Sequence, residues 1–342
     1  SRFLILDEPT ARLEGAAIRR LFGRLDELRE RGVSLLYISH HLDEIYEVCD
    51  TVTVLRDGRL VGDAAVAELP KAQLIESMVG EGREAAGTPA RTAAPRANGR
   101  PAPAEGEALR VERLAIDGWC EDVSFAVRPG ELVGLAGLAG SGKQQVAEAI
   151  AGLCKPQAGR VLVGDRAVPM GDPKVAIDHG VGFVPQDRRA EGFAPNLSIE
   201  ENMTLTVMDR LGRFGLVSPA RRERAARELM GSLEVVAAGP RQLVAELSGG
   251  NQQKVVVGRA LTTQPKVMVV VSPTAGVDVA SKEALFGTLT SLPDVGVLVV
   301  SDELDELGHC DRVLVMFDGR LTNEFETWDE HELVAAMEGV ER

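Results

Sequence analysis

The sequence predicts an α/β protein with a parallel sheet under helices, and three observations carry that prediction. Short Val-rich runs at 267–271 and 295–300 have strand length and no polar alternation, the pattern of strands buried on both faces. Helix-length stretches separate such runs, as parallel crossovers require. A glycine-rich turn at 137–142 stands between a strand and a helix.

Taken in order, residues 3–6 (Phe-Leu-Ile-Leu) read as a buried strand. Strands follow at 109–114 and 123–127. The apolar run 132–136 then feeds the glycine turn, with a helix opening near Lys143. A strand at 182–185 precedes a mostly helical stretch from about 199 to 235, expected to form a subdomain of its own. Ser248 and two glycines open a further helix, where a hydroxyl and bare N–H groups would stand at the N-terminus. Strand 267–271, helix 281–291 and strand 297–301 complete the alternation.

The chain repeats itself. Leu4-Ile5-Leu6-Asp7-Glu8-Pro9-Thr10 aligns with Met268-Val269-Val270-Val271-Ser272-Pro273-Thr274, and Ser39-His40-His41-Leu42-Asp43-Glu44 with Ser301-Asp302-Glu303-Leu304-Asp305-Glu306. Cys49-Asp50 then matches Cys310-Asp311, and Asp57-Gly58-Arg59-Leu60 matches Asp318-Gly319-Arg320-Leu321. Residues 83–107, rich in Ala, Pro, Gly and Arg, read as a flexible linker. The expected division is 1–82 as the end of a first unit, 83–107 as linker and 108–342 as a second unit. Because the first copy lacks the stretch that precedes its counterpart, the chain is expected to be the C-terminal part of a longer protein.

Composition narrows the function. A chain of 342 residues has room for about two domains. Its net charge of −14 argues against general binding to nucleic acid or anionic membranes. No apolar stretch approaches the roughly 20 residues that cross a bilayer, so membrane association is expected to come through a partner. The four cysteines lack metal-ligand spacing and read as reduced thiols.

Gly137-Leu138-Ala139-Gly140-Ser141-Gly142-Lys143 fits a phosphate loop. Its glycines let successive N–H groups curl around phosphate oxygens, while Lys143 reaches the β and γ oxygens. About a hundred residues on lies Leu247-Ser248-Gly249-Gly250-Asn251-Gln252-Gln253-Lys254. Alone, that run could be a serine N-cap after a turn. With the phosphate loop upstream and Pro273-Thr274 after a Val-rich strand downstream, it resembles the signature motif of ABC importers. The Asn-Gln-Gln-Lys extension is similar to the two-cassette subunits that serve ribose, xylose, galactose or rhamnose permeases.

The resemblance implies a P-loop NTPase fold of the ABC cassette type: a parallel-core sheet with helices, an antiparallel β subdomain and a helical subdomain. The chain would hold one full cassette plus the C-terminal half of another. The cofactors implied are ATP and Mg²⁺. In the first unit Asp7 would organise Mg²⁺, Glu8 would be the general base and His40 the switch histidine reading the γ-phosphate. His41 is expected at the surface. In the second, Gly137, Gly140, Ser141, Gly142, Lys143 and Gln144 would bind nucleotide, Gln186 would act as glutamine-loop sensor, and Ser248, Gly249, Gly250 and Gln252 would face a nucleotide held by the other cassette. Permease subunits are the implied partners, through the helical subdomain at the cytoplasmic membrane face, with an extracytoplasmic sugar-binding protein engaged indirectly.

Departures from the family pattern cluster in the second unit. Gln144 stands where a Ser or Thr ligates the metal, Val271 and Ser272 replace the two acids, and Asp302 replaces the histidine. That unit is expected not to hydrolyse. Trp119 is the aromatic nearest to the position expected to stack on adenine, and it reads equally as a packing residue. Three other readings stay open: a nucleoside importer of the same layout, a non-hydrolytic nucleotide-gated module, and a tandem-cassette protein acting on ribosomes. Asp7, Glu8 and His40 favour hydrolysis, and the short linker disfavours the last.

Overall fold

The computed structural model describes residues 2–7, 9–10, 15–39, 42–56, 59–70, 73–74, 77, 103–213 and 216–339. The chain divides into two units, Ser1–Pro89 with Asp278–Lys282, and Ala90–Val277 with Glu283–Arg342.

In the first unit, β1 (Phe3–Asp7) pairs in parallel with β2 (Ser34–Ile38) through α1 (Gly15–Glu30). Then α2 (Leu42–Val48) leads to an antiparallel pair, β3 (Thr51–Arg56) and β4 (Arg59–Ala65). Ile18, Leu21, Phe22 and Leu25 recur at helical spacing on α1 and pack with Leu6, Leu35 and Tyr37. The strand at 3–6 is not buried as expected. Its Leu4 and Leu6 are half-buried, but Phe3 and Ile5 on the alternate side are 50% and 58% exposed.

The second unit is built on a six-stranded sheet in the order β10-β13-β14-β7-β15-β16. Here β7 is Leu132–Ala136, β10 Val181–Val184, β13 Val267–Val271, β14 Gly296–Ser301, β15 Arg312–Phe317 and β16 Arg320–Phe325. All neighbours are parallel except β15 and β16. Side chains alternate between faces, so Met268, Val270, Val297 and Val299 join one core and Val267, Val269, Leu298 and Val300 the other. With both faces covered there is no polar side to display, which explains the unbroken valine runs.

One face is covered by α3 (Lys143–Ile150) and an antiparallel sheet of β5 (Leu109–Ile116), β6 (Cys120–Val127), β8 (Ala158–Val163) and β9 (Arg166–Val168). The short helix α4 (Pro173–Asp178), capped by Asp172, leads into β10. The other face carries a helical group: α5 (Ile199–Thr204), α6 (Pro219–Ser232) and α7 (Gly249–Thr262). Gly258 of α7 brings the helix close to Met203 of α5, whose Cε would stand 2.8 Å from a Cβ there. Between α5 and α6 the helical expectation fails locally, as Gly212–Arg213 (β11) and Leu216–Val217 (β12) form a small antiparallel pair. Helices α8 (Val279–Thr290), α9 (Leu304–Leu307) and α10 (Glu330–Met337) complete the order.

The repeat is structural as well as sequential. Each copy runs strand, helix, parallel strand, helix, antiparallel pair. The pairs carry register shifts at equivalent positions, Val54/Leu55 and Val315/Met316.

Candidate nucleotide site

Strand β7 ends at Ala136 and hands the chain to the glycine loop, which closes on the first turn of α3. Gly137, Gly140 and Gly142 all have positive φ, at 155°, 84° and 91°. A side chain at Gly142 would strike the Trp119 carbonyl, and one at Gly137 would stand 2.5 Å from both the Met316 carbonyl and Ser141 Oγ. Glycine is therefore required at both positions. Ser141 is buried, and its Oγ has no hydrogen-bond partner among the described residues. An orphaned hydroxyl in a loop of left-handed glycines at a helix N-terminus fits a phosphate oxygen.

Lys143 is 8% exposed. Its ammonium donates to the Gly137 carbonyl and lies 3.7 Å from Asp302 Oδ1. Burial pushes the Lys143 ammonium below the usual lysine range, while the Asp302 and Glu306 carboxylates pull it back up. Gln144 donates from Nε2 to Glu148 Oε1 at 3.0 Å, one helical turn on. Val271 is sealed in the core, and Ser272 is buried with φ 41°. No carboxylate stands at either of these positions, so the residues present do not fit Mg²⁺ here.

Trp119 is better placed than its sequence context suggests. It turns the chain between β5 and β6, its carbonyl abuts Gly142 and Gly319, and 46% of the residue is exposed. The backbone of Trp119 thus adjoins the phosphate loop, and its side chain is half exposed.

At the signature, Ser248 is the N-cap of α7 and is exposed, followed by half-buried Gly249 and buried Gly250. The next residues brace this tip from behind. Asn251 donates to Ser248 Oγ at 2.9 Å and accepts from Val236 N at 2.8 Å. Lys254 donates to the Glu234 carbonyl at 2.9 Å. Gln252, expected to face a nucleotide, is buried instead, with Nε2 donating to the carbonyls of Val244 and Leu247. Its amide satisfies the carbonyls of the loop leading into the helix, so it shapes the tip from within.

Gln186 is exposed just past the end of β10. The residue that ties this loop to its surroundings is Arg188, which the sequence reading passed over. It donates to the carbonyls of Ala275 and Gly276, the latter at 3.0 Å. A Cβ on Gly249 would stand 2.9 Å from Arg188 Nη2. One guanidinium thus joins the loop after β10, the loop after β13 and the first residue of α7. The only sequence hint was its place beside Gln186.

Between β10 and the helical group is a pocket of about 130 Å³, lined by Leu153, Ile177, Phe183, Thr206 and Arg259. Burial pushes the Arg259 guanidinium below its usual range, and among the described residues no carboxylate or carbonyl pairs with it. A larger cavity of about 510 Å³ includes Arg312, but that charge is already neutralised by Glu131 and Glu324 at 2.8 and 2.6 Å.

In the first unit Asp7 is exposed at the end of β1, opposite Ile38. Glu8, His40 and His41 lie outside the described residues. Glu44 is buried and accepts from Tyr37 Oη at 2.8 Å and Ser39 Oγ at 3.0 Å. Burial and that carboxylate push the Tyr37 phenol well above its usual range.

A family model described as ABC transporter matches residues 120–275. The chain is 39% identical over 345 residues to a ribose import ATP-binding protein of Rubrobacter xylanophilus, covering 99% of this chain and 64% of that protein. It is 42% identical over 328 residues to one of Streptomyces avermitilis, covering 95% and 63%. A ribose import ATP-binding protein of Chelativorans sp. is 39% identical over 346 residues, covering 100% of this chain and 67% of that protein. The chain belongs to the ABC transporter ATP-binding family. It spans less than two thirds of the length of the first two relatives. The fold agrees: a nucleotide-free ATP-binding cassette superposes with a TM-score of 0.57 at 24% identity, covering 68% of this chain and 95% of that one. A dimeric cassette bound to ADP and phosphate gives 0.56 at 23% identity, covering 63% and 97%. The cassette architecture expected from the motifs is therefore present in the second unit.

Proposed function

We propose that this chain belongs to the ATP-hydrolysing subunit of a monosaccharide importer, with ribose-type sugars as cargo. What most supports the reading is the tip of α7, with exposed Ser248 braced by Asn251, in a chain about 40% identical to ribose import ATP-binding proteins.

Asp7, Glu8 and His40 are the hydrolytic groups of the first unit, and the second carries the Ser248–Gly250 tip, whose amides and dipole favour a phosphate. Glu8 takes the proton of the attacking water, and His40 donates to the γ-phosphate. Asp7 would hold Mg²⁺, which when bound neutralises charge on the β and γ oxygens. The loop around Lys143 binds nucleotide without hydrolysing it.

Among the described residues no helix is long and apolar enough to cross a membrane. Attachment is proposed to run through permease subunits at the cytoplasmic face. The pocket beside Arg259 suits a short permease helix that brings a carboxylate with apolar neighbours. The sugar-binding protein would act through the permease, with no nucleic acid involved.

The test uses the intact importer. Glu8→Gln is expected to abolish ATP turnover, while Ser272→Ala leaves it within about twofold and Lys143→Ala weakens nucleotide binding more than turnover. Arg259→Glu is expected to lower sugar-stimulated turnover about tenfold, as loss of a desolvated ion pair would. Equal losses from Ser272→Ala and Glu8→Gln would sink the assignment.

A further inference from the structure

We infer that the nucleotide site around Lys143 is selective for a nucleoside diphosphate over a triphosphate, because Asp302 supplies a carboxylate where the γ-phosphate would lie. The inference rests on the reading of this loop as a nucleotide site and names its ligand class.

Three observations converge. First, the side of Lys143 turned to the end of β14 already has an anion. Asp302 Oδ1 stands 3.7 Å from the ammonium, close enough to occupy the charge that a terminal phosphate would otherwise take. Asp302 itself is exposed, while Lys143 is buried. A triphosphate must displace this carboxylate or lie against it, and like charges at such range oppose each other.

Second, none of the positions expected to carry a metal ligand in this unit offsets the charge of a third phosphate. Gln144 is tied to Glu148, Val271 is sealed in the core and Ser272 is neutral and buried. The buried Glu306 adds a second carboxylate near Lys143.

Third, the groups that serve the inner phosphates are intact. The loop glycines keep their left-handed conformations, and Ser141 Oγ is buried without a partner among the described residues. A diphosphate can use the loop amides, Ser141 and Lys143 while leaving Asp302 in place. Such a site would hold product-like nucleotide, so this half would not reset with each cycle.

The test is a calorimetric titration of the 342-residue chain with ADP and with a non-hydrolysable ATP analogue. The wild-type chain is expected to bind ADP about tenfold more tightly than the analogue. Asp302→Asn and Asp302→Ser should raise analogue affinity about tenfold and change ADP affinity by less than about twofold, the unchanged ADP value confirming the fold. Lys143→Ala should weaken both. Equal wild-type affinities overturn the inference, as does an Asp302→Asn variant that shifts both ligands alike. If neither nucleotide binds the wild-type chain, the nucleotide reading of this loop fails and the inference falls with it.

Discussion

Thr274 donates both its backbone N–H, at 2.8 Å, and its hydroxyl to a single carboxylate oxygen of Glu306, 32 residues away. Both residues are buried, and the contact joins the turn after β13 to α9, which follows Asp302. The first unit places Thr10 and Glu44 at the equivalent positions, both buried, with Glu44 held by Tyr37 and Ser39. A buried carboxylate therefore pins the helix after the switch position in each copy.

Removing either partner leaves a buried polar group in want of hydrogen bonds. Thr274→Val is expected to cost about 1–2 kcal/mol and Glu306→Ala about 3 kcal/mol in urea unfolding. The double variant should be less destabilised than the sum by about 1 kcal/mol or more. Additivity within 0.5 kcal/mol, roughly the error expected for independent sites, would show that the contact carries no coupling.

The Trp119 backbone adjoins the phosphate loop and its side chain is half exposed, so its loss is expected to be felt by nucleotide rather than by the fold. Trp119→Ala is expected to weaken ADP binding about tenfold, within the usual worth of base–aromatic stacking. Stability should fall by less than about 1 kcal/mol, since the side chain is half exposed. Trp119→Phe should recover most of the affinity. An unchanged Kd in the alanine variant would remove the tryptophan from the site.

Acid should loosen the helical group through Glu201. This residue forms a capping box with Ser198, accepting from Ser198 N at 2.9 Å and Ser198 Oγ at 2.7 Å. Those bonds first, and Arg222 at 3.9 Å in addition, hold its carboxyl below the usual range. Since the folded value lies below the unfolded one, the stabilisation is present above about pH 4.3 and is lost as pH falls through the folded value. Glu201→Gln should flatten the pH dependence of unfolding in that interval. The same slope in variant and wild type would rule the box out as its source.

Much of this was legible in the linear chain because it depends on local rules. Val267–Val271 is a strand of five buried residues, as an unbroken valine run implies. Strand Leu132–Ala136 and a helix opening at Lys143 likewise follow from an apolar run punctuated by glycines. The losses at Val271, Ser272 and Asp302 were also readable, being substitutions within a recognisable frame.

Other roles depend on how the chain folds back on itself. Gln252 sits in a motif read as ligand-facing, yet it bonds the carbonyls of Val244 and Leu247, because the loop before α7 folds back over it. Arg188 becomes a strut only when the loop carrying Ala275 and Gly276 is brought to it, 87 and 88 residues on. Motif resemblance sufficed for the cassette class, and aligned residues for the repeat, since these reflect local order along the chain. Which side chains brace the signature tip and which carboxylate meets Lys143 were decided by packing. Hydrogen bonds and charge pairs act over a few ångströms of space, and only the folded chain sets those distances.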